Sequence, residues 1–402
     1  MTKKHRALLA IVIGVFLGFV LSSSNEFFFS PTTTHLNLNT NDEILKKIQE
    51  KYIENVDFID FEQGSIEKAI TKLDEYSEFL SEQEYQDIIN VSKGIYSGVG
   101  IKIYKDEAAI KVSQVFSNSP ADYAGIMLDD EIVKINDKEV TFNEFVKTLK
   151  MLDDNKKPEI EIIIQREGMN GELNFKMFRK DVSVPSTYAE IMTSKYCYIK
   201  IDIFNNNTEI EINEVLSDEC EIIDINKNQI QGVIIDVRNN PGGTLEAAVG
   251  VSDLFLSKGV IVSARGRDNK LMFTYSANQD DIVDGLPMVI IVNKKSASAA
   301  EIFAGAMQDN NRAIVVGVNT YGKGSIQEVI PLSGGGAIIL TTARYYRPSG
   351  HPITSSGIRP DVKIVDYNYF NESKNNSKAD LKQDVQLSQA IDILKRNKDY
   401  YQ

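Results

Sequence analysis

Apolar residues follow a helical spacing early in the chain and a strand-like pattern after Gly98. In residues 42–56 and 64–93 they recur every three or four positions, as in Ile70 and Leu73, which predicts helices. The next 85 residues or so contain short apolar runs bounded by turn residues, which predict a β-rich region. Its strands are expected near 99–104, 108–115, 131–135, 159–165 and 173–179, and its helices at 120–125 and 142–152.

A third region begins near Val182 and has longer apolar runs, the first four of which are separated by helical stretches. Such alternation is typical of βαβ units and a mostly parallel sheet, so the fold class is α/β. A polar, Asn-rich stretch follows at 366–380, and residues 381–395 have the spacing of a closing amphipathic helix. The strand-like runs are 196–204, 232–237, 287–293, 312–318 and 337–346.

Residues 1–24 have the pattern of an export segment. Lys3, Lys4 and Arg6 precede an uninterrupted apolar run of 15 residues, from Ala7 to Leu21, and serines follow. This is typical of a signal peptide, and the run is shorter than the roughly 20 residues of a membrane-spanning helix. A cleaved signal and a retained anchor both fit, and the lack of an Ala-x-Ala motif favours the anchor. Either one places the remaining chain outside the cytoplasm.

Composition narrows the possible chemistry. The chain has 402 residues, with 57 acidic and 44 basic side chains and a formal net charge of −13, which argues against nucleic acid as a partner. Two cysteines cannot build a disulfide framework or a multi-cysteine metal site, and whether Cys197 and Cys220 are free or paired stays open. Of the 3 histidines, two lie in the first 35 residues, so a histidine-based mechanism would depend on His351 alone.

Two predicted strand–turn–helix junctions contain the candidate chemistry. In the first, the strand 232–237 is followed by Asn-Asn-Pro-Gly242-Gly243, and a helix begins at Thr244. Glycines allow a backbone N–H to approach a ligand closely, and a helix N-terminus favours negative charge. The alternative is a plain tight turn.

The second junction contains Ser298, with Glu301 three residues later. This spacing is that of a capping box, in which Ser298 only caps a helix. The functional alternative is a nucleophilic Ser298, with the N–H of Ala299 and the helix dipole stabilising an oxyanion.

A serine nucleophile needs a base, and Lys323 is the candidate. A desolvated lysine can lose its proton near neutral pH, although an exposed turn lysine is the ordinary case. If 323–327 is extended, Lys323, Ser325 and Gln327 face the same side, and the Gln327 carbonyl can hold the amine without adding charge. Gly317 to Lys323 also fits the start of a phosphate-binding loop, but position 324 is Gly and the next residues have a strand pattern, so a nucleotide site is rejected.

The segments 296–327 and 232–243 together resemble the signatures of the carboxy-terminal processing proteases. The resemblance implies a crotonase/Clp-protease-like βα core and a Ser298–Lys323–Gln327 triad with no metal or cofactor. It places the oxyanion hole at the backbone N–H of Ala299 and of Gly242 or Gly243. No G-x-S-x-G motif of α/β-hydrolases occurs.

Residues 119–136 are similar to the central signature of a bacterial PDZ domain. The resemblance implies that a loop at Ser97, Gly98, Val99, Gly100 and Ile101 captures the C-terminus of a protein or peptide substrate whose last residue is apolar. The division expected is an anchor or signal at 1–24, a linker at 25–40, an N-terminal helical region at 41–94, the PDZ domain at 95–181, the protease core at 182–366, and a polar loop and C-terminal helix at 367–402.

The expected function is therefore cleavage of extracytoplasmic proteins near their C-termini by a membrane-associated bacterial cell-envelope enzyme. The terminal helices could form a homodimer or pack on their own core. One alternative is a PDZ-containing scaffold that no longer cleaves, against which the intact triad argues. The other is a crotonase-type acyl-CoA enzyme, against which the PDZ segment and the export signal argue.

Overall fold

The computed structural model describes residues 40–56, 70, 73–106, 109–141, 145–152, 158–193, 195–220, 230–365 and 384–397. They form two compact units. The larger unit contains the described residues of 40–93, 186–365 and 389–397, and the smaller unit those of 94–185 and 384–388. The expected export segment at 1–24 lies outside the described residues.

The helices are α1 (Thr40–Lys51), α2 (Glu82–Ser92), α3 (Pro120–Ala124), α4 (Phe145–Leu152), α5 (Thr208–Glu214), α6 (Leu245–Leu254), α7 (Ala299–Asp309) and α8 (Val385–Asn397). The strands are β1 (Glu78–Leu80), β2 (Ile95–Gly98), β3 (Ile101–Asp106), β4 (Ala109–Val115), β5 (Glu131–Ile135), β6 (Lys138–Glu139), β7 (Glu159–Gln165), β8 (Glu172–Phe178), β9 (Lys180–Ser183), β10 (Thr187–Met192), β11 (Tyr196–Ile201), β12 (Gly232–Asp236), β13 (Val260–Arg265), β14 (Leu271–Ser276), β15 (Met288–Val292), β16 (Ile314–Gly317), β17 (Ser325–Pro331), β18 (Ala337–Tyr346) and β19 (Val362–Lys363).

The larger unit contains a predominantly parallel sheet in the order β10-β11-β12-β15-β16-β19. Only β10 is antiparallel to its neighbour, and every residue of β12 and β15 is buried. Near-continuous burial is typical of central parallel strands that helices cover on both faces. The predicted α/β class is confirmed, and the two candidate junctions follow β12 and β15, which are adjacent.

A second sheet of the larger unit is antiparallel, in the order β1-β18-β13-β14, with β17 also paired to β18. The run predicted at 337–346 is β18 and belongs to this sheet. The helix α7 lies inside the unit, because every residue from Ala299 to Met307 is buried. The Phe303 ring of α7 lies 6.0 Å from that of Phe204 and 6.3 Å from that of Phe255, measured between ring centroids.

A disulfide joins Cys197 of β11 to Cys220, whose Cα atoms are 5.6 Å apart. Cys220 follows α5 and a single π-helical turn at Val215–Glu219. The two half-cystines are fully buried and belong to the main core of the unit. The sequence alone left their pairing open, and the structure resolves it in favour of the bond.

Helix α1 packs on its own unit. The guanidinium of Arg267 donates to the backbone carbonyls of Gln49 and Tyr52 at 3.0 and 2.6 Å, which fixes the C-terminal end of the helix. Packing on its own core is thus the alternative that α1 follows. Its apolar face is buried with residues of β17 and β18, in a cluster of Ile44, Ile48, Tyr52, Ile70, Ile330, Leu332, Ile338 and Leu340.

The helix predicted over 64–93 is wrong for residues 73–80. Asp74 Oδ1 accepts the N–H groups of Tyr76 and Ser77, both at 2.7 Å, which closes a turn that competes with a helix. The chain then extends as β1 and pairs with β18, and Ser81 caps the start of α2. The spacing of Leu73 and Leu80 fits a helix, but both side chains serve a turn-and-strand segment instead.

The smaller unit contains an antiparallel sheet in the order β3-β4-β5-β7-β8, with β6 on β5 and a separate β2–β9 ribbon. These strands lie close to the predicted positions. Helix α3 is capped by Ser119, has Pro120 in its first turn, and ends at Gly125 with a left-handed φ of 85°. Among the described residues, no helix is both long and apolar enough to cross a membrane.

Candidate active site

The first junction is a tight turn between β12 and α6. Gly242 and Gly243 have φ values of 111° and 141°, which other residues rarely adopt. The N–H of Gly242 donates to Asn240 Oδ1 at 2.8 Å. Within the described part of the chain, the N–H of Gly243 donates no hydrogen bond, so of the two glycines it is the available donor.

Asp236 and Arg238 fasten the start of this turn. The Arg238 guanidinium donates to both carboxylate oxygens of Asp236, with the shortest contact at 2.6 Å, and both side chains are buried. Burial raises the pKa of Asp236, but the charges of Arg238 and Lys200 outweigh it and hold the pKa well below its usual range. The Tyr198 hydroxyl also donates to this carboxylate, at 2.8 Å. Asp236 is therefore ionised throughout the physiological range.

The second junction holds Ser298 in a strained conformation. Its φ is 53° and its ψ is −116°, a region that a non-glycine residue rarely occupies. Ser298 and Glu301 have the reciprocal arrangement of a capping box, but the Ser298 hydroxyl accepts no well-formed hydrogen bond from a first-turn N–H. The backbone carbonyl of Ser298 instead accepts the N–H groups of Glu301 and Ile302, at 2.8 and 3.0 Å. The N–H of Ala299 donates no hydrogen bond within the described residues, as expected in the first turn of a helix.

The two junctions are fastened to each other. The Asn293 amide donates to Asn239 Oδ1 at 2.8 Å, and the Ser296 hydroxyl donates to the Val237 carbonyl at 2.8 Å. The N–H of Ala297 donates to the carbonyl of Asn240 at 3.0 Å. These three bonds hold the glycine turn beside the serine turn.

Gly242 lies directly against Ser298. A Cβ atom added to Gly242 would be 2.8 Å from Ser298 Cβ and 3.0 Å from the nitrogen of Ala299, closer than real Cβ contacts. A Cβ on Gly243 would be 1.8 Å from the carbonyl oxygen of Phe204. Only glycines allow this approach, and the structure thereby brings the predicted oxyanion segments next to the predicted nucleophile.

One carboxylate joins the serine turn to the lysine loop. Glu301 Oε2 accepts the backbone N–H groups of Ser298 and Lys323, both at 2.9 Å. Glu301 Oε1 accepts the N–H of Gly322 at 2.7 Å and the Thr320 hydroxyl at 2.5 Å. Burial raises the pKa of Glu301, and these hydrogen bonds oppose the rise. The predicted nucleophile and base thus share a hydrogen-bond acceptor.

Lys323 is buried, with 4 % of its surface exposed, so the alternative of an exposed turn lysine is wrong. Burial lowers the pKa of Lys323 from 10.5 to about 8, while the carboxylates of Glu301, Glu78, Asp74 and Glu75 oppose the shift. An amine with this pKa is partly neutral near pH 8 and can accept a proton.

Gln327 lies on β17 and is fully buried. Its Nε2 donates to the hydroxyls of Ser325 and Thr341, at 2.8 and 3.0 Å. Its Oε1 has no hydrogen-bond partner among the described residues. The side chain therefore has one unused acceptor, and the residues 325–331 form a strand, as expected when the nucleotide site was rejected.

The loop predicted to bind a C-terminus lies between β2 and β3. Ser97 and Gly98 end β2, and Ile101 begins β3. The N–H groups of Val99 and Gly100 donate no hydrogen bond within the described part of the chain, whereas their carbonyls accept from Ala121 and Phe116. A Cβ on Gly100 would be 2.2 Å from Ser119 Cβ, so the loop requires glycine there.

The side chains that hold these parts together are not among the site residues predicted from the sequence. Asn240, Asn293 and Ser296 fasten the glycine turn to the serine turn, and Glu301 was considered only as a cap. The available signal was their position, since polar residues that follow adjacent parallel strands meet at one sheet edge. His351 is exposed and was assigned no role.

Comparisons with known proteins give a family match in the larger unit and another in the smaller unit. Residues 195–364 match Peptidase family S41, and residues 97–177 match the PDZ domain. The chain is similar to solved structures of a photosystem II D1 C-terminal processing protease (TM-score 0.53, 23 % identity, covering 81 % of this chain and 92 % of that one) and of a putative S41 protease from Bacteroides fragilis (TM-score 0.57, 14 % identity, covering 90 % and 98 %). At these identities the likeness shows the fold.

Sequence relatives carry the assignment further. The chain is 31 % identical over 361 residues to a carboxy-terminal-processing protease of Bartonella bacilliformis, covering 89 % of this chain and 82 % of the relative. It is 28 % identical over 345 residues to the carboxy-terminal processing protease CtpB of Bacillus subtilis, covering 84 % and 70 %. The acyl-CoA and non-enzymatic alternatives are therefore set aside, and the chain belongs to the carboxy-terminal-processing proteases, serine-type peptidases of family S41.

Proposed function

We propose that this protease cuts extracytoplasmic proteins near their C-termini, with Ser298 as nucleophile, Lys323 as general base and Gln327 as the residue that orients the base. The observation that carries the proposal is the shared acceptor Glu301 Oε2, which binds the backbone of Ser298 and of Lys323 at 2.9 Å each. Burial and a lowered pKa suit Lys323 to this role. The strained backbone of Ser298 is typical of a nucleophile on a sharp strand-to-helix turn.

Acylation begins when neutral Lys323 Nζ takes the proton of Ser298 Oγ. The oxygen bonds to the scissile carbonyl carbon, and the carbonyl electron pair moves to its oxygen. The N–H groups of Gly243 and Ala299 stabilise this oxyanion. Lys323 then returns the proton to the leaving amine as the C–N bond breaks, and water hydrolyses the acyl-enzyme by the same route.

Gln327 orients the base through its carbonyl oxygen. Because Ser325 and Thr341 occupy its Nε2, the unpartnered Oε1 is the atom that can accept a hydrogen from Lys323 Nζ. A buried acceptor without a partner is costly, so a catalytic contact offsets that cost. An amide also adds no charge, whereas a carboxylate at this position would favour the ammonium form.

The PDZ domain selects substrates by binding a free, apolar C-terminal residue in the loop 97–101. The N–H groups of Val99 and Gly100, which have no internal acceptor in the described chain, are suited to a terminal carboxylate. The mode predicts that amidating a substrate C-terminus removes most of its binding.

The enzyme acts outside the cytoplasm of a bacterial cell, held at the membrane by residues 1–24. The charged and apolar pattern of that segment supports export. The buried Cys197–Cys220 disulfide also supports it, since such bonds persist in oxidising compartments. A homodimer stays a prediction.

The test uses the full chain and a test protein that ends in a short apolar tail. Cleavage rates are compared for the wild type, Ser298→Ala and Lys323→Ala, each with free and amidated substrate C-termini. We expect both variants to lose at least about 1,000-fold in kcat. Amidation should weaken kcat/KM at least tenfold for the wild type. Undiminished cleavage by Ser298→Ala would falsify the assignment, and equal rates on both termini would exclude recognition by the PDZ loop.

A further inference from the structure

An aromatic ring lies against the buried amine of the catalytic lysine. Lys323 Nζ is 5.2 Å from the centroid of the Tyr76 ring. A cation within about 6 Å of a ring face is attracted by the ring quadrupole, and more strongly where water is excluded. Tyr76 is half-buried and belongs to the turn before β1, far from Lys323 in the sequence.

Hydrogen bonds fix the segment that carries the Tyr76 ring. Asp74 Oδ1 fixes the backbone N–H groups of Tyr76 and Ser77, both at 2.7 Å. The Ser77 hydroxyl accepts the N–H of Thr341 at 3.2 Å, and the Thr341 hydroxyl accepts from Gln327 at 3.0 Å. The segment that carries the ring is thus linked, through Thr341 of β18, to the orienting glutamine.

Several ionisable groups surround the Lys323 amine. Glu301 acts from α7, Glu78 from β1, and Asp74 and Glu75 from the turn that carries Tyr76. All four carboxylates favour the ammonium form, and burial opposes them. Burial also raises the pKa of Tyr76, which lies near Tyr321 and Glu75, so its ring stays neutral up to pH 10.

We propose that Tyr76 is a positioning residue for Lys323, whose ring face stabilises the positive charge that the amine gains when it takes the Ser298 proton. This proposal depends on the proposed function. Above the pKa of the base, the resting amine is neutral and only the transition state gains from the ring. Below that pKa, the resting amine is already cationic, and the ring stabilises ground state and transition state alike.

This difference predicts a pH-dependent effect of removing the ring. Tyr76→Leu keeps apolar bulk but removes the π face, so both the base pKa and the rate at high pH should fall. Cation–π attraction of about 1 kcal/mol corresponds to roughly a fivefold lower rate above pH 9 and a shift of about 0.7 pH unit to lower pH. At pH 6 the two changes cancel, and the rates of variant and wild type should agree within about twofold.

The experiment measures kcat/KM from pH 6 to 10, on a slow peptide substrate for which chemistry limits the rate. Tyr76→Phe keeps the ring face and should match the wild-type profile. Phe79→Leu removes another aromatic side chain of the same segment, one that is 36 % exposed, and should leave the profile unchanged. Thermal unfolding of each variant verifies folding.

A second measurement, which needs no peptide substrate, applies to variants that bind substrate poorly. The rate at which a small sulfonyl fluoride modifies Ser298 reports the base without the PDZ domain, and it should show the same shift. The proposal is overturned if Tyr76→Leu lowers the rate equally at every pH, or if the midpoint is unchanged or moves to higher pH. Failure of the proposed function is distinct, because the wild type would then not cleave or Ser298→Ala would still cleave.

Discussion

The turns after β12 and β15 are built alike but use their cap residues differently. Each follows a buried parallel strand and leads into a helix whose N-cap is a hydroxyl residue. Thr244, before α6, has an ordinary φ of −76°, and its hydroxyl accepts the N–H of Ala247 at 3.2 Å. Ser298, before α7, has a φ of 53°, and its hydroxyl, although placed with Glu301 as in a capping box, accepts no comparable hydrogen bond.

The difference shows how a cap position becomes available for chemistry. At α7 the backbone carbonyl of Ser298 binds the first-turn N–H groups, and the Glu301 carboxylate binds the N–H of Ser298. The Ser298 hydroxyl is thereby less engaged in capping than the Thr244 hydroxyl. The glycine turn supplies the complementary feature, since the N–H of Gly243 is left without an internal acceptor. One turn provides the nucleophile and the other a donor.

Exchange of each hydroxyl residue for alanine tests this comparison most strongly. Ser298→Ala should lower kcat/KM by about 10,000-fold or more, with a free energy of unfolding within about 0.5 kcal/mol of the wild type. Thr244→Ala should lose about 1 kcal/mol of stability through its cap, with less than a tenfold loss of activity. Cleavage assays and denaturant unfolding measure both. A stability loss in Ser298→Ala as large as that in Thr244→Ala would contradict the weaker capping role of the Ser298 hydroxyl.

A methyl group on the glycine turn should disrupt the pairing of the turns. Gly242→Ala brings Cβ to 2.8 Å from Ser298 Cβ at a φ of 111°, so both strain and displacement follow. We expect kcat to fall by about 100-fold or more as the oxyanion donors move. Gly285→Ala is the matched control, because its φ is 73° but no atom lies within 4 Å. It should cost about 1 kcal/mol of stability and no activity.

The Glu301 carboxylate of α7 should matter far more than the first-turn acid of α6, because it binds the backbone of both the serine turn and the lysine loop. In Glu301→Gln, an NH₂ group replaces one of the two carboxylate oxygens. Each oxygen accepts a backbone N–H in the wild type, so the NH₂ group would face a donor and leave it without an acceptor. We expect a loss of roughly 3 kcal/mol in the free energy of unfolding and at least about tenfold in kcat. Glu246→Gln, in the first turn of α6, changes an exposed acid and should cost no more than about 0.5 kcal/mol. Comparable losses of stability in Glu301→Gln and Glu246→Gln would contradict a special role for Glu301.

The buried positive charge of Lys323, next to the serine turn, should lower the free energy of unfolding. The charge of Asp236, next to the glycine turn, is paired with Arg238 and should not. The folded pKa of Lys323 is about 8 and its ordinary value is 10.5, so the unfolded chain binds the extra proton between these values and stability rises with pH there. Lys323→Met should therefore be more stable by about 2–3 kcal/mol at pH 7, with the gain gone above about pH 10.5. A gain independent of pH would indicate a packing effect.

The smallest expected effect is a shift of the activity profile. Activity should rise with pH through the Lys323 pKa of about 8, and Asp236, ionised throughout, should add no titration between pH 5 and 9. Glu78→Gln removes a carboxylate that raises the Lys323 pKa, so the midpoint should move to lower pH by less than about one unit. Asp87→Asn, on the exposed side of α2, should leave it unchanged. A midpoint that moves to higher pH in Glu78→Gln would contradict the conclusion that the Glu78 carboxylate raises the Lys323 pKa.

Much of this architecture follows from local pattern. The apolar runs predict β12, β15 and β16. The spacing of Ser298 and Glu301 predicts the start of a helix, where the helix dipole can stabilise the oxyanion formed at a nucleophile. Local pattern does not distinguish Gly242 from Gly243, because that choice depends on an acceptor, Asn240 Oδ1. Nor does it place Tyr76 on Lys323, since the turn at Asp74 and the pairing of β1 override a helical spacing.

The hydrogen bond between Thr341 and Ser77 spans 264 residues of sequence. During synthesis, the turn at 73–77 emerges early and stays without its partner strand until β18 has been made. Contacts between such distant residues form slowly, because a long loop must close first. The surroundings of Lys323 therefore cannot assemble before β18 has been synthesised. Proteolysis should therefore begin only after β18 has been made, and chains that end before β18 should lack activity.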